Sequence, residues 1–151
     1  MKGELDVHRI AQKVGDIKES VAVLKEYAAR KDKQFLDNPE AVRAARYAFI
    51  VLIEAATNIA AHVCARLFHR APASYAESFL VLAEHGCLDR ELAKRLAKMA
   101  GFRNLLVHRY AEVDDTHLLR LMRHNLGDVE AYLRVVHRLV KEKKTDAEET
   151  C

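Results

Sequence analysis

The chain has 151 residues, half of them hydrophobic and 31% charged, with five glycines, two prolines and no tryptophan. That composition suits a helical domain with its own core and excludes a disordered, collagenous or disulfide-stapled chain. The formal net charge is only +3, yet from Lys94 to His124 seven Lys/Arg face three acids, a local excess that either attracts a polyanion or decorates an ordinary solvated helix.

A first helix is expected from Glu4 to Lys31, because Val7, Ile10, Val14, Ile17, Val21, Leu24 and Ala28 repeat at 3-4 spacing. Asn38-Pro39-Glu40 restarts the chain with a cap, a first-turn proline and an early acid. The second helix, Pro39 to His69, is apolar nearly all round between Tyr47 and Ala65. Glu54, Asn58 and His62 interrupt it at i, i+4 and i+8, so a buried central helix is expected rather than a membrane span. These three either satisfy one another and a neighbouring helix or border a functional cleft. A short third helix follows Ala71-Pro72-Ala73-Ser74 and runs from Tyr75 to Glu84, with Gly86 as its left-handed cap. Asp89 caps the fourth helix. Asp114-Asp115-Thr116 opens the fifth, which carries Leu118, Met122, Val129, Leu133, Val136 and Val140 inward. The expected fold is all-α: an antiparallel four-helix bundle with an additional short helix, one domain over residues 1–141 and a flexible charged tail over 142–151. Three cysteines without CxxC spacing, and a start at Met1-Lys2-Gly3-Glu4 unlike a secretion signal, suggest a cytoplasmic protein with Cys64 and Cys87 as buried filler.

The fourth helix ends in Arg103-Asn104-Leu105-Leu106-Val107-His108-Arg109-Tyr110. Arg-x4-His alone is expected about 0.7 times by chance in this composition, and a tyrosine two residues on lowers that to about 0.02. Continuing the seam Leu92, Leu96, Met99 places Arg103 where a bundle wants an aliphatic side chain. A buried guanidinium needs a polar cleft, an acid or an inter-subunit groove, and Glu54 is an available acid. Arg103 and His108 lie about 140° apart on an ideal helix, so a shared site needs a long reach, an irregular helix end near His108 that Gly101 could ease, or pooling across a dimer, which is the preferred reading.

These side chains suit metal-independent RNA cleavage. Neutral His108 takes the proton of a ribose 2′-hydroxyl, which attacks its own phosphate while the Arg103 fork stabilises the growing charge. Tyr110 and Asn104 would hold phosphate or base, with Glu54 and Asn58 as supporting candidates from the polar line. No metal site is expected: no histidine has glutamate three residues before it, and only Asp114/His117 comes close. His117 and His124, like His8, His69 and His137, read as surface residues. No cofactor is implied, since no Gly-rich phosphate loop, Ser/Cys nucleophile arrangement or haem motif is present.

At Arg103, His108 and Tyr110, with Gly101-Phe102 leading in and Asn104 beside the arginine, the chain resembles the HEPN superfamily, specifically the HepT-like toxins of prokaryotic toxin–antitoxin pairs. The resemblance covers roughly residues 4 to 141. It implies a homodimeric helical ribonuclease whose motif residues meet at the dimer interface. It further implies an MntA-like nucleotidyltransferase antitoxin that silences the toxin by transferring AMP to Tyr110. Glu54 and Asn58 rest on the polar line, not on the family. A rival reading keeps the helical protein but makes it a non-catalytic nucleotide-binding or acceptor subunit of such a transferase.

Overall fold

The computed structural model describes residues 3–149, with side chains as far as Glu142. Among these residues seven α-helices follow one another without a strand: α1 (Val7–Ala28), α2 (Asp32–Leu36), α3 (Pro39–Phe68), α4 (Tyr75–Glu84), α5 (Arg90–His108), α6 (Asp115–His124) and α7 (Leu126–Glu149). A 3-10 turn, Tyr110–Glu112, joins α5 to α6.

The helix starts are set by side-chain caps that supply acceptors to otherwise unpaired first-turn N–H groups. Asp6 accepts from the Arg9 N–H, Asn38 from Ala41, Ser74 from Glu77 and Asp89 from Leu92. Glu77 also reaches back to the Ala73 N–H at 2.6 Å, which closes the first turn of α4 from both sides. Gly86, at φ 76°, ends that segment in the left-handed region.

α3 is the axis of the bundle: α1, α2, α4 and α5 all pack on it. The Asp6 N–H meets His62 and Arg9 meets Asn58, so α1 runs antiparallel to α3. Phe102 near the end of α5 packs edge-on against Phe49, while His85 just before α5 stacks on Phe68, so α5 also runs back along α3. α7 closes the bundle, its Tyr132 fully buried with the hydroxyl donating to the Ala56 carbonyl at 2.7 Å. α3 is long and apolar enough to cross a membrane, but 67% of its most apolar stretch is buried within the bundle. That is the expected core helix.

Three boundaries differ from expectation. α1 starts at Val7 rather than Glu4, because residues 3–6 lie extended on the end of α3, with the Gly3 N–H donating to the Arg66 carbonyl at 2.9 Å. A side-chain carbon on Gly3 would stand 2.6 Å from that oxygen, so only glycine fits this approach. α1 also ends at Ala28, and α2 is an unexpected single turn that buries Phe35 against Tyr27. The expected fifth helix is two. α6 ends at His124 with Asn125 as its cap, and beside that end Arg123 donates to the Ala28 and Arg30 carbonyls and pairs with Asp32 at 2.6 Å, tying the break to the α1–α2 loop. Asn125 and Gly127 are weak helix formers, so the break costs little there. α7 continues past Lys141 to Glu149. The tail assigned to 142–151 falls mostly on side chains, and at 150–151 on residues, outside those described.

Candidate functional site

The polar line on α3 is a longer row than Glu54, Asn58 and His62. Arg46 belongs to it two steps earlier, with Ile50 between. Residues four apart on a helix turn by about 40° per step, so the row winds by about 160° from Arg46 to His62. Its members therefore meet different partners instead of one another. Arg46 faces the turn after α5, Glu54 faces Arg103 of α5, and Asn58 and His62 face the start of α1.

Arg103 sits where its seam placed it, with 12% of its side chain exposed. Its fork donates to Glu54 at 2.5 Å and to the Asn104 amide oxygen at 3.1 Å, and its face lies 4.7 Å from the Tyr75 ring centre. The expected acidic partner is thus found. The Nε–H, by contrast, is buried with no hydrogen-bond partner among the described residues, an arrangement that costs desolvation without return. Glu54, Asn58 and Tyr75 border two adjoining clefts of about 280 and 300 Å³ on either side of α3. Tyr75 is 40% exposed there. Sequence reasoning gave it no role, since a tyrosine opening a short helix carries no motif.

His108 ends α5 as an exposed residue without a hydrogen-bond or ion-pair partner among the described residues. α5 runs unbroken across Gly101 from Arg90 to His108 and ends there, Arg109 leaving the helix at φ −133° into the 3-10 turn. The angular gap of about 140° therefore stands, and one protomer does not bring Arg103 and His108 onto one face. Leu105, Val107 and Tyr110, together with Tyr47 of α3, are large apolar groups left 41%, 41%, 50% and 70% exposed.

Tyr110 begins the 3-10 turn and is held by Arg46, which composition-level reading missed. The Arg46 guanidinium stacks 4.2 Å from the Tyr110 ring centre, donates to the Tyr110 carbonyl at 3.0 Å and pairs with Asp115 at 2.8 Å. An arginine on the inner face of an alanine-rich helix was the available signal.

The basic stretch is less free than its composition suggests. Lys94, Arg95, Arg103, Arg109 and Arg123 each have an acidic partner. Most of these pairs are exposed and weak, so a polyanion can displace them, but the patch is not a field of bare cations. His117 is exposed with its ring against Phe102, and His8, His69, His124 and His137 are surface residues as expected. Among the described residues no group of three His, Cys, Asp or Glu could hold a metal ion. Cys64 is wholly buried, its thiol pushed up to about 11 chiefly by burial, and Cys87 is half-buried. Burial also holds the His62 imidazole below its ordinary value, with Arg66 and Arg9 acting the same way, so its Nε2 is free to accept the Asp6 N–H at 2.9 Å.

Comparison with known proteins adds a consistent picture. A family model described as Ribonuclease HepT-like matches residues 17–136. An mRNA nuclease HepT from Shewanella oneidensis is 32% identical over 83 residues, 55% of this chain and 62% of that protein. A tRNA nuclease HepT from Aphanizomenon flos-aquae is 29% identical over 87 residues, 58% of this chain and 59% of that protein. The matched segments thus span about three fifths of those relatives. The solved structure of a tri-AMPylated Shewanella oneidensis HEPN toxin in complex with an MNT antitoxin has a TM-score of 0.80 to this chain at 25% identity, covering 86% of this chain and 97% of that one.

Proposed function

Because the chain belongs to the Ribonuclease HepT-like family, we propose that it is the toxin of a toxin–antitoxin pair, a cytoplasmic endoribonuclease that works with imidazole and guanidinium rather than a metal. The observation that carries this reading is the end of α5. There a nearly buried arginine with an unsatisfied donor, an unpartnered histidine and a half-exposed tyrosine follow one another within eight residues.

In the proposed reaction neutral His108 removes the 2′-hydroxyl proton, and the 2′-oxygen attacks the adjacent phosphorus. The bond to the 5′-oxygen breaks and that oxygen takes a proton from solvent, leaving a 2′,3′-cyclic phosphate and a 5′-hydroxyl. Arg103 turns its fork from Glu54 to the phosphate, and a phosphate oxygen gives the orphaned Nε–H an acceptor. Asn104 and Glu54 hold that fork before it turns, and Glu54 and Asn58 line the clefts beside it.

The angular separation within one helix supports a homodimer. Two copies packing α5 against α5 would pool Arg103 of one with His108 of the other and leave the Tyr110 hydroxyl accessible. The partner is a nucleotidyltransferase antitoxin of the MNT kind. It would join AMP to the Tyr110 oxygen, releasing pyrophosphate from ATP, and the added charge and bulk would close the cleft to RNA. The working unit is residues 1–141, with 142–151 outside it.

The deciding experiment incubates purified protein with a defined RNA, wild type beside His108→Ala. Cleavage with cyclic-phosphate ends, lost in the variant, supports the nuclease. Equal cleavage by both removes His108 as the base, and no cleavage by either leaves the acceptor-subunit reading in possession.

A further inference from the structure

No motif points to Arg46, yet it makes every described contact that holds Tyr110 from outside its own turn. Besides the ring contact, the bond to the Tyr110 carbonyl and the Asp115 pair, its second terminal nitrogen reaches the Val113 carbonyl at 3.5 Å. Only 8% of its side chain is exposed, against 29% for Asp115. One guanidinium therefore binds both ends of the segment from Tyr110 to Asp115 to α3.

We infer that Arg46, braced by Asp115, is a positioning residue that presents the Tyr110 hydroxyl as the acceptor of a nucleotidyl group. This rests on the acceptor role proposed above for Tyr110. A half-exposed ring on a three-residue turn would otherwise spread over several rotamers. Transfer needs one of them: the phenolic oxygen must approach the α-phosphorus in line with the departing pyrophosphate. As the new O–P bond forms, the bond to pyrophosphate breaks and the phenol proton passes to a base of the transferase. A cation on the ring face fixes the ring plane without occupying the nucleophile. Each nitrogen of Arg46 donates elsewhere, to a carboxylate or one of two carbonyls, and the Tyr110 hydroxyl makes no hydrogen bond among the described residues. The arginine thus acts on orientation and leaves the attacking oxygen unpaired.

The test follows AMP transfer to Tyr110 by intact-protein mass, with the partner transferase and varied ATP, in wild type, Arg46→Gln, Arg46→Lys and Asp115→Asn. Arg46→Gln is expected to lower the saturating rate about tenfold or more while leaving KM for ATP within about twofold, because ATP is held by the transferase. Arg46→Lys, which keeps a cation under the ring, should recover part of the rate. Asp115→Asn removes the brace from the surface side and should slow transfer in the same direction by less. It carries the test if Arg46→Gln does not fold. Transfer at the wild-type rate in folded Arg46→Gln or in Asp115→Asn, or an effect wholly in KM, overturns the inference alone. A wild-type chain that accepts no AMP overturns the acceptor reading and this inference together.

Discussion

Two arginines near the motif are almost equally hidden and opposite in circumstance. Arg46 and Arg103 have 8% and 12% of their side chains exposed. Each lies against a tyrosine ring, but the first has acceptors on all three nitrogens. The second keeps a buried Nε–H with no acceptor and leans on a carboxylate that is itself 46% exposed. Burial alone does not separate a cation that holds a fold from one that serves a reaction. Completeness of hydrogen bonding does, because a folded chain tolerates an unsatisfied buried donor mainly where something else is meant to satisfy it.

Exchanging each arginine for methionine sets that contrast most sharply. Arg103→Met should reduce RNA cleavage about a hundredfold or more, since a charge-stabilising donor is lost. Its unfolding free energy in urea should move by less than about 1 kcal/mol, because the change also removes an orphaned donor. A loss of several kcal/mol would make Arg103 as structural as Arg46 and dissolve the distinction. Arg46→Met should cost about 3 kcal/mol in the same measurement, leaving Asp115 and two carbonyls without their donor. A neutral result would break the comparison from the other side. Glu54→Gln, at the half-exposed partner of Arg103, should lower stability by only about 0.5 kcal/mol, and salt titration of the wild type should erase much of that difference. The smallest effect belongs to the far end of the same α3 row. The folded chain holds His62 below its ordinary 6.5, so its contribution is present above that value and is lost as pH falls through the folded value. Thermal melts should show wild type losing slightly more stability between pH 7 and 5 than His62→Gln, whose amide oxygen can still accept the Asp6 N–H. Identical pH profiles would remove His62 as a titrating contributor.

Helix order, caps and the central place of α3 were legible because each rests on local chemistry: Asn38-Pro39, Ser74, Gly86 and Asp89 act within a few residues of themselves. The pairing of Arg103 with Glu54 was legible too, since one interrupted the apolar seam of α5 and the other that of α3. The α6–α7 break was hidden by phase. Leu118, Met122, Leu126, Val129 and Val136 keep helical spacing across Asn125, so periodicity passes straight through a boundary fixed by Arg123 and a distant loop. α2 was hidden by length, one turn being too short for any period. Arg46 escaped because its partners lie 64 to 69 residues away. The polar line was seen but its winding was not used. Its members were expected either to satisfy one another and a neighbouring helix or to border one cleft, whereas of them only Glu54 and Asn58 border the two clefts.

That winding has a further consequence for how the molecule settles on one arrangement. α3 is rich in alanine, at positions 41, 44, 45, 48, 55, 56, 60, 61 and 65, and between its larger buried side chains these small residues add little steric resistance to sliding by a turn or swivelling among its neighbours. Arg46, Glu54, Asn58 and His62 are spread along it like the bits of a key, each cut for a different ward of the surrounding lock. A slip of one turn would misalign all four together, so these polar side chains reinforce the single seating that the larger apolar residues of the shaft begin.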